Sequence, residues 1–238
     1  MRAADAPAPA VLLLSGGMDS ATLLWQVRRQ TPDRTLHTVS IDYRQRHRVE
    51  LEAAARLSAR AGATSHRVLA VDLAAVGGSP LTDPSRAVPA AAAGRQIDTV
   101  VPFRNLLFVT LAAACAEILG ARDLFLAPVR DDHAAYRDCR REFYDSLERT
   151  LHLGATRDTS FRIHTPLVMR SKVEVAALGL QLGVPYDLTH TCYEGRRPAC
   201  GLCDACCERI EAFRANGVAD PLPYAIEVAW RVNPVAHP

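Results

Sequence analysis

Short apolar runs alternate along the chain with stretches whose apolar residues recur every three or four positions. Val11-Leu12-Leu13-Leu14 has no polar face, as expected of a strand buried in the middle of a parallel sheet. A helical stretch follows through Trp25 and Val27 and ends near Pro32-Asp33. Leu36 to Ile41 reads as a second strand, with Asp42 just past its carboxyl end, where open α/β sheets bind ligands. Val49, Ala53 and Leu57 recur every four residues and predict a helix ending at Gly62, and Ser65 to Val71 predicts a third strand. This βαβαβ alternation with short connections implies right-handed crossovers and a doubly wound sheet.

From Asp72 to Phe103 no period survives, and a stretch this long in a compact domain is expected to act as a lid over the site. Arg104 to Leu119 is a strongly apolar helix ending at Gly120, expected to be buried on most sides. Leu124 to Ala127 is the fourth strand, followed by a loop from Val129 to Arg140 on the ligand side. Glu142 to Leu151 reads as helix and Phe161 to Ile163 as the fifth strand. Ser171-Lys172-Val173-Glu174 is a capping box opening a helix that runs to Gly183 and is stopped by Pro185. The expected fold is therefore α/β: a doubly wound, mostly parallel, five-stranded Rossmann-like sheet. There is no internal repeat.

Composition narrows the organisation. At 238 residues and 49% hydrophobic, the chain can bury one substantial core with a small appendage. The expected layout is a disordered Ala/Pro-rich start at 1–10, an α/β nucleotide-binding domain at 11–185, a cysteine-bearing helical segment at 186–224 and an extension at 225–238. No apolar run approaches the ~20 residues of a membrane span, and the first residues are too polar and proline-broken for a signal peptide. The expectation is a cytoplasmic protein with no membrane partner. A net charge of +2 gives no long-range field to attract nucleic acid, so no nucleic-acid partner is expected either.

The chemistry concentrates where the first strand meets the first helix. Leu14, Ser15, Gly16, Gly17, Met18, Asp19, Ser20, Ala21, Thr22, Leu23 and Leu24 form a small, hydroxyl-bearing turn and the helix start it feeds. Two glycines let the backbone approach an anion, while free amides at the helix start and the positive end of its dipole supply a binding field. No G-x-x-x-x-G-K-[ST] occurs, so this is not a Walker A loop. It resembles the S-G-G-x-D-S loop of the PP-loop ATPases, which cleave ATP between the α and β phosphates and transfer AMP to a substrate oxygen. These residues and Asp42 are the nucleotide-binding candidates, with Asp19 and Ser20 also catalytic candidates. Asp19 either holds magnesium, orients the loop or caps the helix.

Lys172 is the other catalytic candidate on the nucleotide side. Of 28 cationic residues it is the single lysine, and it sits in a first helical turn, where a cation opposes the helix dipole. A bound polyphosphate would reverse that sign, and a compact ammonium suits a point contact to phosphate.

Seven cysteines in an undirected chain of this size point to metal or catalysis, and five of them crowd between positions 192 and 207. Cys192, Cys200, Cys203 and Cys206 are spaced C-x7-C-x2-C-x2-C. Four thiolates fill a tetrahedral zinc and leave no open position, which makes the expected zinc structural, with an iron–sulfur cluster second. Cys207 is a bystander thiol.

Taken together, Ser15 to Ser20, Asp42 to His47, Pro102-Phe103-Arg104-Asn105, Asp138-Cys139-Arg140, Thr165-Pro166-Leu167 and Thr191-Cys192-Tyr193 through Cys206 resemble the 7-cyano-7-deazaguanine synthases from about residue 11 to 224. The resemblance implies an ATP- and magnesium-dependent ligase, working as a homodimer on small molecules. Such an enzyme adenylates 7-carboxy-7-deazaguanine, lets ammonia displace AMP to give an amide, and dehydrates the amide to the nitrile through a second activation. It implies Arg104, Asn105, Tyr136, Asp138 and Arg140 as substrate-binding residues, with Arg104 also catalytic. Cys139 is a packed thiol as readily as a nucleophile. The family pattern has Gly where this chain has Arg44, Asn and Ser-Gly where it has Val129 and Ala134-Ala135, and Trp where it has His190. These departures leave open a diverged ligase that stops at the amide or joins another amine.

Overall fold

In the computed structural model the described residues are 7–94, 96–157 and 160–230. Residues 1–6 of the expected disordered start and 231–238 of the expected extension lie outside them. The strands are β1 (Ala10–Leu13), β2 (Leu36–Asp42), β3 (Ser65–Ala70), β4 (Asp123–Phe125) and β5 (Arg162–His164). The helices are α1 (Met18–Gln30), α2 (Val49–Arg60), α3 (Arg104–Leu119), α4 (Arg141–Gly154), α5 (Lys172–Leu182) and α6 (Asp204–Ala215). All five strands are parallel, in the order β3-β2-β1-β4-β5. After β3 the chain crosses back over β1 to add β4 on its far side, so a crevice opens at the carboxyl ends of β1 and β4.

The unbroken apolar run of β1 follows from this central place. Ala10, Leu12 and Leu14 face a core shared with α1, α2, α5 and α6, whereas Val11 faces a second core formed with α3 and α4. Each helix is bounded by local chemistry. The Ser171–Glu174 capping box opens α5, with Ser171 Oγ accepting from Glu174 N at 3.2 Å and Glu174 Oε2 accepting from Ser171 N at 2.7 Å. Gly183 then closes it in the left-handed conformation at φ +69°. Inside α5, Gly179 is required by a close approach, because a methyl there would collide with the Tyr186 hydroxyl. That hydroxyl is 2.7 Å from Thr22 Oγ1 on α1.

Several expectations are corrected. The first strand starts at Ala10, which is fully buried, so the ordered chain begins inside the stretch expected to be disordered. Asp42 is the last residue of β2 and not beyond it. β4 starts one residue and ends two residues before the reading, and β5 lies one residue after it, since a strand of three residues offers no alternation from which to fix its ends.

The helix α3 is not buried on most sides. Val109, Ala112, Ala113, Cys115 and Ala116 face the core, while Leu107 and Ile118 are 36% and 73% exposed. The sheet covers one side, and among the described residues nothing covers the other. Gln96–Leu119 is long and apolar enough to cross a membrane by length and composition alone, and its α-helical part, α3, packs on the sheet by one face.

The segment 72–103 is also no lid. Leu73, Leu81 and Val101 are buried in the α3 core, and Arg46 ties the loop down by donating to the carbonyls of Pro84 (2.8 Å) and Arg86 (2.7 Å). The 186–224 segment carries one α-helix, α6, and a 3-10 turn at Tyr186–Leu188, the rest being turns and irregular backbone.

Candidate functional site: a glycine turn and an arginine in one cavity

A cavity of about 260 Å³ opens at the carboxyl ends of β1, β2 and β4. Its floor is the turn between β1 and α1. Gly16 has φ +91°, and a Cβ there would overlap the carbonyl of Glu50 at the start of α2, so only glycine allows this turn to pass. The turn is knitted by its own hydroxyls. Ser20 Oγ accepts from Ser15 N at 3.2 Å and lies 3.0 Å from Ser15 Oγ, which in turn accepts from Gly17 N at 3.2 Å. From behind, the amide of His190 donates to Gly16 O at 2.9 Å. The loop is thus rigid before any ligand arrives, with the first amides of the 13-residue α1 aimed into the cavity.

Beside the loop lies a buried charge cluster. The Lys172 ammonium pairs with Asp132 at 3.1 Å and Glu208 at 2.7 Å. Burial works against its charge, but Asp132, Asp19 and Glu208 outweigh that and hold its pKa well above the usual lysine range. Asp19 is buried with its Oδ1 unpartnered, and burial pushes it up to about 6 despite the opposing charge of Lys172. Asp132, Glu208 and the cluster itself were not legible in the sequence. The Asp131-Asp132 pair after β4 was the one available signal, and Asp131 caps α5 by accepting from Lys172 N at 2.7 Å.

The opposite wall is built on Arg104, at the start of α3. Its guanidinium donates to the Tyr43 hydroxyl at 3.4 Å and stands 5.9 Å from that ring's centre. No carboxylate pairs with it among the described residues. Tyr43 is pushed up to about 12 by burial. Behind it, Glu50 Oε1 accepts from Gln45 Nε2 at 3.0 Å and lies 3.5 Å from His47 Nε2. Burial pushes the Glu50 carboxyl up to about 8 and His47 down to about 3, with Arg104 also opposing a charge on His47. At neutral pH both are therefore uncharged. Asn105 and Tyr136 line the same wall, Tyr136 being held by a 2.7 Å contact to Thr99 Oγ1. Cys139 lines it as well, with its thiol pushed up to about 12 by burial, in the inert protonated form.

Other candidates stand elsewhere. Asp42 is engaged by Arg48, at 2.5 Å, and does not line the cavity. Asp138 accepts from Asn105 N at 3.4 Å, and Arg140 donates to the His133 carbonyl at 3.2 and 3.1 Å, so both support the wall from behind. Ala21, Leu23 and Leu24 are core residues of α1, and Thr22 faces Tyr186. Of the departures from the family pattern, only His190 lines the cavity, its Nε2 buried without a partner. Val129 is in the core, and Ala134 is exposed.

The four cysteines converge below this site. All four Sγ atoms lie within 4.8 Å of one another, with Cys200 and Cys206 at 3.8 Å, about the S···S separation that four thiolates adopt around one tetrahedral ion. Amides of Cys200 and Cys203 point at Cys192 Sγ (3.3 Å) and Cys200 Sγ (3.4 Å), which favours thiolates. The cluster can hold a metal. Cys207 faces the Gly201 carbonyl instead, at 3.6 Å.

One residue of the cysteine-bearing helix reaches the loop indirectly. Arg209 is 1% exposed and forms a two-pronged pair with Asp220 at 2.6 and 2.8 Å. It also donates to Thr189 Oγ1 at 2.6 Å and Thr191 Oγ1 at 3.0 Å. Those two threonines flank His190, whose amide holds the loop.

Residues 9–217 match the family model for queuosine biosynthesis protein QueC. Among curated relatives, the 7-cyano-7-deazaguanine synthase of Thiobacillus denitrificans is 47% identical over 223 residues, 91% of this chain and 98% of that one. The enzyme of the same name from Pseudomonas syringae pv. tomato is 44% identical over 220 residues, 90% of this chain and 96% of that one. The solved NMN synthetase from Francisella tularensis overlays at a TM-score of 0.48 with 15% identity, over 88% of this chain and 77% of that one. So loose an overlay adds nothing to the sheet topology.

The raised pKa of Glu50 has a measurable consequence. Its folded value lies above its unfolded one, so its contribution to stability is fully present below the ordinary glutamate range and is lost as pH rises through about 8. In urea unfolding, the wild type is expected to lose stability relative to Glu50→Gln as pH rises from ~5 to ~8, the titration of His47 in the unfolded chain being common to both proteins and cancelling in the difference. A wild-type-minus-variant difference that stays flat with pH would refute this.

Proposed function

The chain belongs to the queuosine biosynthesis protein QueC family, and on that premise we propose that it is an ATP-dependent carbon–nitrogen ligase converting 7-carboxy-7-deazaguanine, with ammonia, into 7-cyano-7-deazaguanine. The observation that carries this reading is Arg104. A half-buried guanidinium without a carboxylate partner among the described residues, in the same cavity as a helix-start loop built for phosphate, suits an anionic substrate whose carboxylate must be brought to a nucleotide.

A carboxylate is a poor electrophile, and activation supplies the leaving group. In the proposed sequence a substrate carboxylate oxygen forms a bond to the α phosphorus of ATP as the bond to pyrophosphate breaks. The α1 amides, Ser15 and Ser20 and the Lys172 ammonium stabilise the charge that builds on the departing pyrophosphate. Ammonia then bonds to the acyl carbon and AMP leaves with the C–O electron pair, giving the amide. A second ATP activates the amide oxygen in the same way, and loss of AMP and the remaining nitrogen protons yields the nitrile. Throughout, Arg104 orients the reacting carbon, while Tyr43, Phe108 and Tyr136 give the flat base an aromatic wall.

The unpartnered, buried Oδ1 of Asp19 suits a divalent cation, and magnesium there would neutralise polyphosphate charge beside the acidic cluster. Four convergent thiols with no fifth donor suit zinc in a structural role, held by Cys192, Cys200, Cys203 and Cys206. The proposal includes a homodimer, which the exposed apolar side chains Phe103, Leu107 and Ile118 support. A second reading, a ligase that stops at the amide, is favoured only by His190, whose unpartnered ring nitrogen faces the cavity.

The test is incubation with 7-carboxy-7-deazaguanine, ATP, magnesium and ammonia, with mass spectrometry of the base and analysis of the nucleotides. Nitrile, AMP and pyrophosphate are expected. ADP and phosphate as the sole nucleotide products would reject the activation chemistry, and amide as the end product would select the second reading. Arg104→Leu is expected to raise the KM for the carboxylate by about ten-fold or more, with the KM for ATP little changed. An equal rise for both substrates would remove Arg104 from the carboxylate. Metal analysis is expected to find one zinc per folded chain and Cys203→Ser to lose it together with thermal stability; full stability in a zinc-free variant would overturn the structural role.

A further inference from the structure

A lysine ammonium carries three N–H donors on a flexible four-carbon stem, and what it can do at a phosphate depends on where the stem is stopped. Here the ammonium is stopped between two carboxylates, in ion pairs with Asp132 at 3.1 Å and Glu208 at 2.7 Å. Those two charges fix where the end of the stem stands when a phosphate oxygen arrives.

Glu208 differs from Asp132 in what stands behind it. It projects from α6, the helix that follows Cys203 directly and carries Cys206. Its two oxygens are divided: Oε2 meets Lys172, whereas Oε1 accepts from Gln96 Nε2 at 3.0 Å, on the loop that follows β3. Its neighbour Arg209 locks α6 against Asp220, Thr189 and Thr191. The carboxylate is therefore delivered by a helix tied on both sides of its neighbour Arg209 to segments outside it. The side chains of Lys172 and Glu208 are only 14% and 27% exposed, so water screens the pair weakly.

We propose that Glu208 is a positioning residue for the nucleotide chemistry, acting through Lys172 and making α6 part of the nucleotide site as well as of the cysteine cluster. The idea rests on the phosphate-site reading given above. It goes beyond that reading in predicting that a residue two positions after a cysteine ligand controls the use of ATP.

The experiment is a double-mutant cycle on the zinc-loaded full chain, with pyrophosphate release as the readout. Glu208→Leu is expected to lower kcat/KM for ATP by about ten-fold, the scale of a hydrogen bond to a charged group, with the KM for the carboxylate substrate unchanged. Glu208→Gln, whose amide oxygen still accepts, is expected to recover most of that loss. Glu211→Gln, on the same helix but paired with Arg214 at the surface, is expected to match the wild type. In a Lys172→Met background, Glu208→Leu is expected to change ATP affinity by less than about two-fold, because the route through the ammonium is already cut. Wild-type kcat/KM in Glu208→Leu, or an equal loss in both backgrounds, overturns the proposal. Where Glu208→Leu loses zinc or fails to fold, Glu208→Ala takes its place, with a loss of about ten-fold in kcat/KM for ATP supporting the proposal and a wild-type value overturning it. If the wild type releases no pyrophosphate, the functional reading fails by itself, and the pairing is judged from melting temperatures: non-additive shifts in the double variant uphold it and additive shifts reject it.

Discussion

Everything at this site depends on one close approach of backbone to backbone. At Gly16 the turn leaving β1 passes so near the start of α2 that a single methyl would strike the Glu50 carbonyl, and the His190 amide grips the same peptide from the other side. The turn is thereby clamped between two elements distant in sequence. Its own side chains satisfy its inner donors, which leaves the amides of α1 to face the cavity. A parallel sheet is what makes this possible. Every strand delivers its carboxyl end to the same rim, so the turn after β1 and the loop after β4 meet across the crevice where the strand order reverses.

The cavity is electrically divided. On the phosphate side three carboxylates, Asp19, Asp132 and Glu208, surround one ammonium, and on the far side an arginine faces tyrosines with no counter-charge. Neither arrangement is comfortable for an empty protein. An unpaired cation and an excess of buried acid each cost solvation, and on the acidic side the raised Asp19 carboxyl registers that cost. Opposite strains at the two ends of one cavity fit a ligand pair that is anionic at one end and brings a cation at the other, as a carboxylate and a metal–polyphosphate do. His47, neutral to about pH 3, keeps the arginine wall from acquiring a second positive charge.

What could be read from the sequence divides along a physical line. The phosphate turn, the capping box at Ser171 and the four cysteines are each encoded within a few consecutive residues, and the structure places each of them as local spacing requires. Asp132, Glu208, Glu50 and Arg209 were not legible, because each matters through a partner on another element. Lys172 was singled out as a cation misplaced at a helix start, and the structure supplies the missing half of that argument in two carboxylates, one of them 36 residues further on. The one-sided burial of α3 was missed for a related reason: composition reports how apolar a helix is, but which of its faces meets the sheet is decided by the sheet.

The departures from the family pattern can now be ranked by position. Arg44 takes φ +64°, a conformation that costs a residue with a Cβ about 1 kcal/mol and glycine almost nothing, so the family's glycine there answers a backbone need and not a substrate. Val129 is packed in the core against the α1 side of the sheet, and Ala134 lies on the surface, so neither touches the space a base would fill. His190 alone combines a cavity-facing ring with a backbone amide that holds the phosphate turn. Its main-chain role is indifferent to side-chain type, which leaves the ring free to differ without disturbing the loop. Any change in substrate preference encoded at these positions therefore acts through one imidazole, its charged form disfavoured by burial and its own amide bonded to the Gly16 carbonyl.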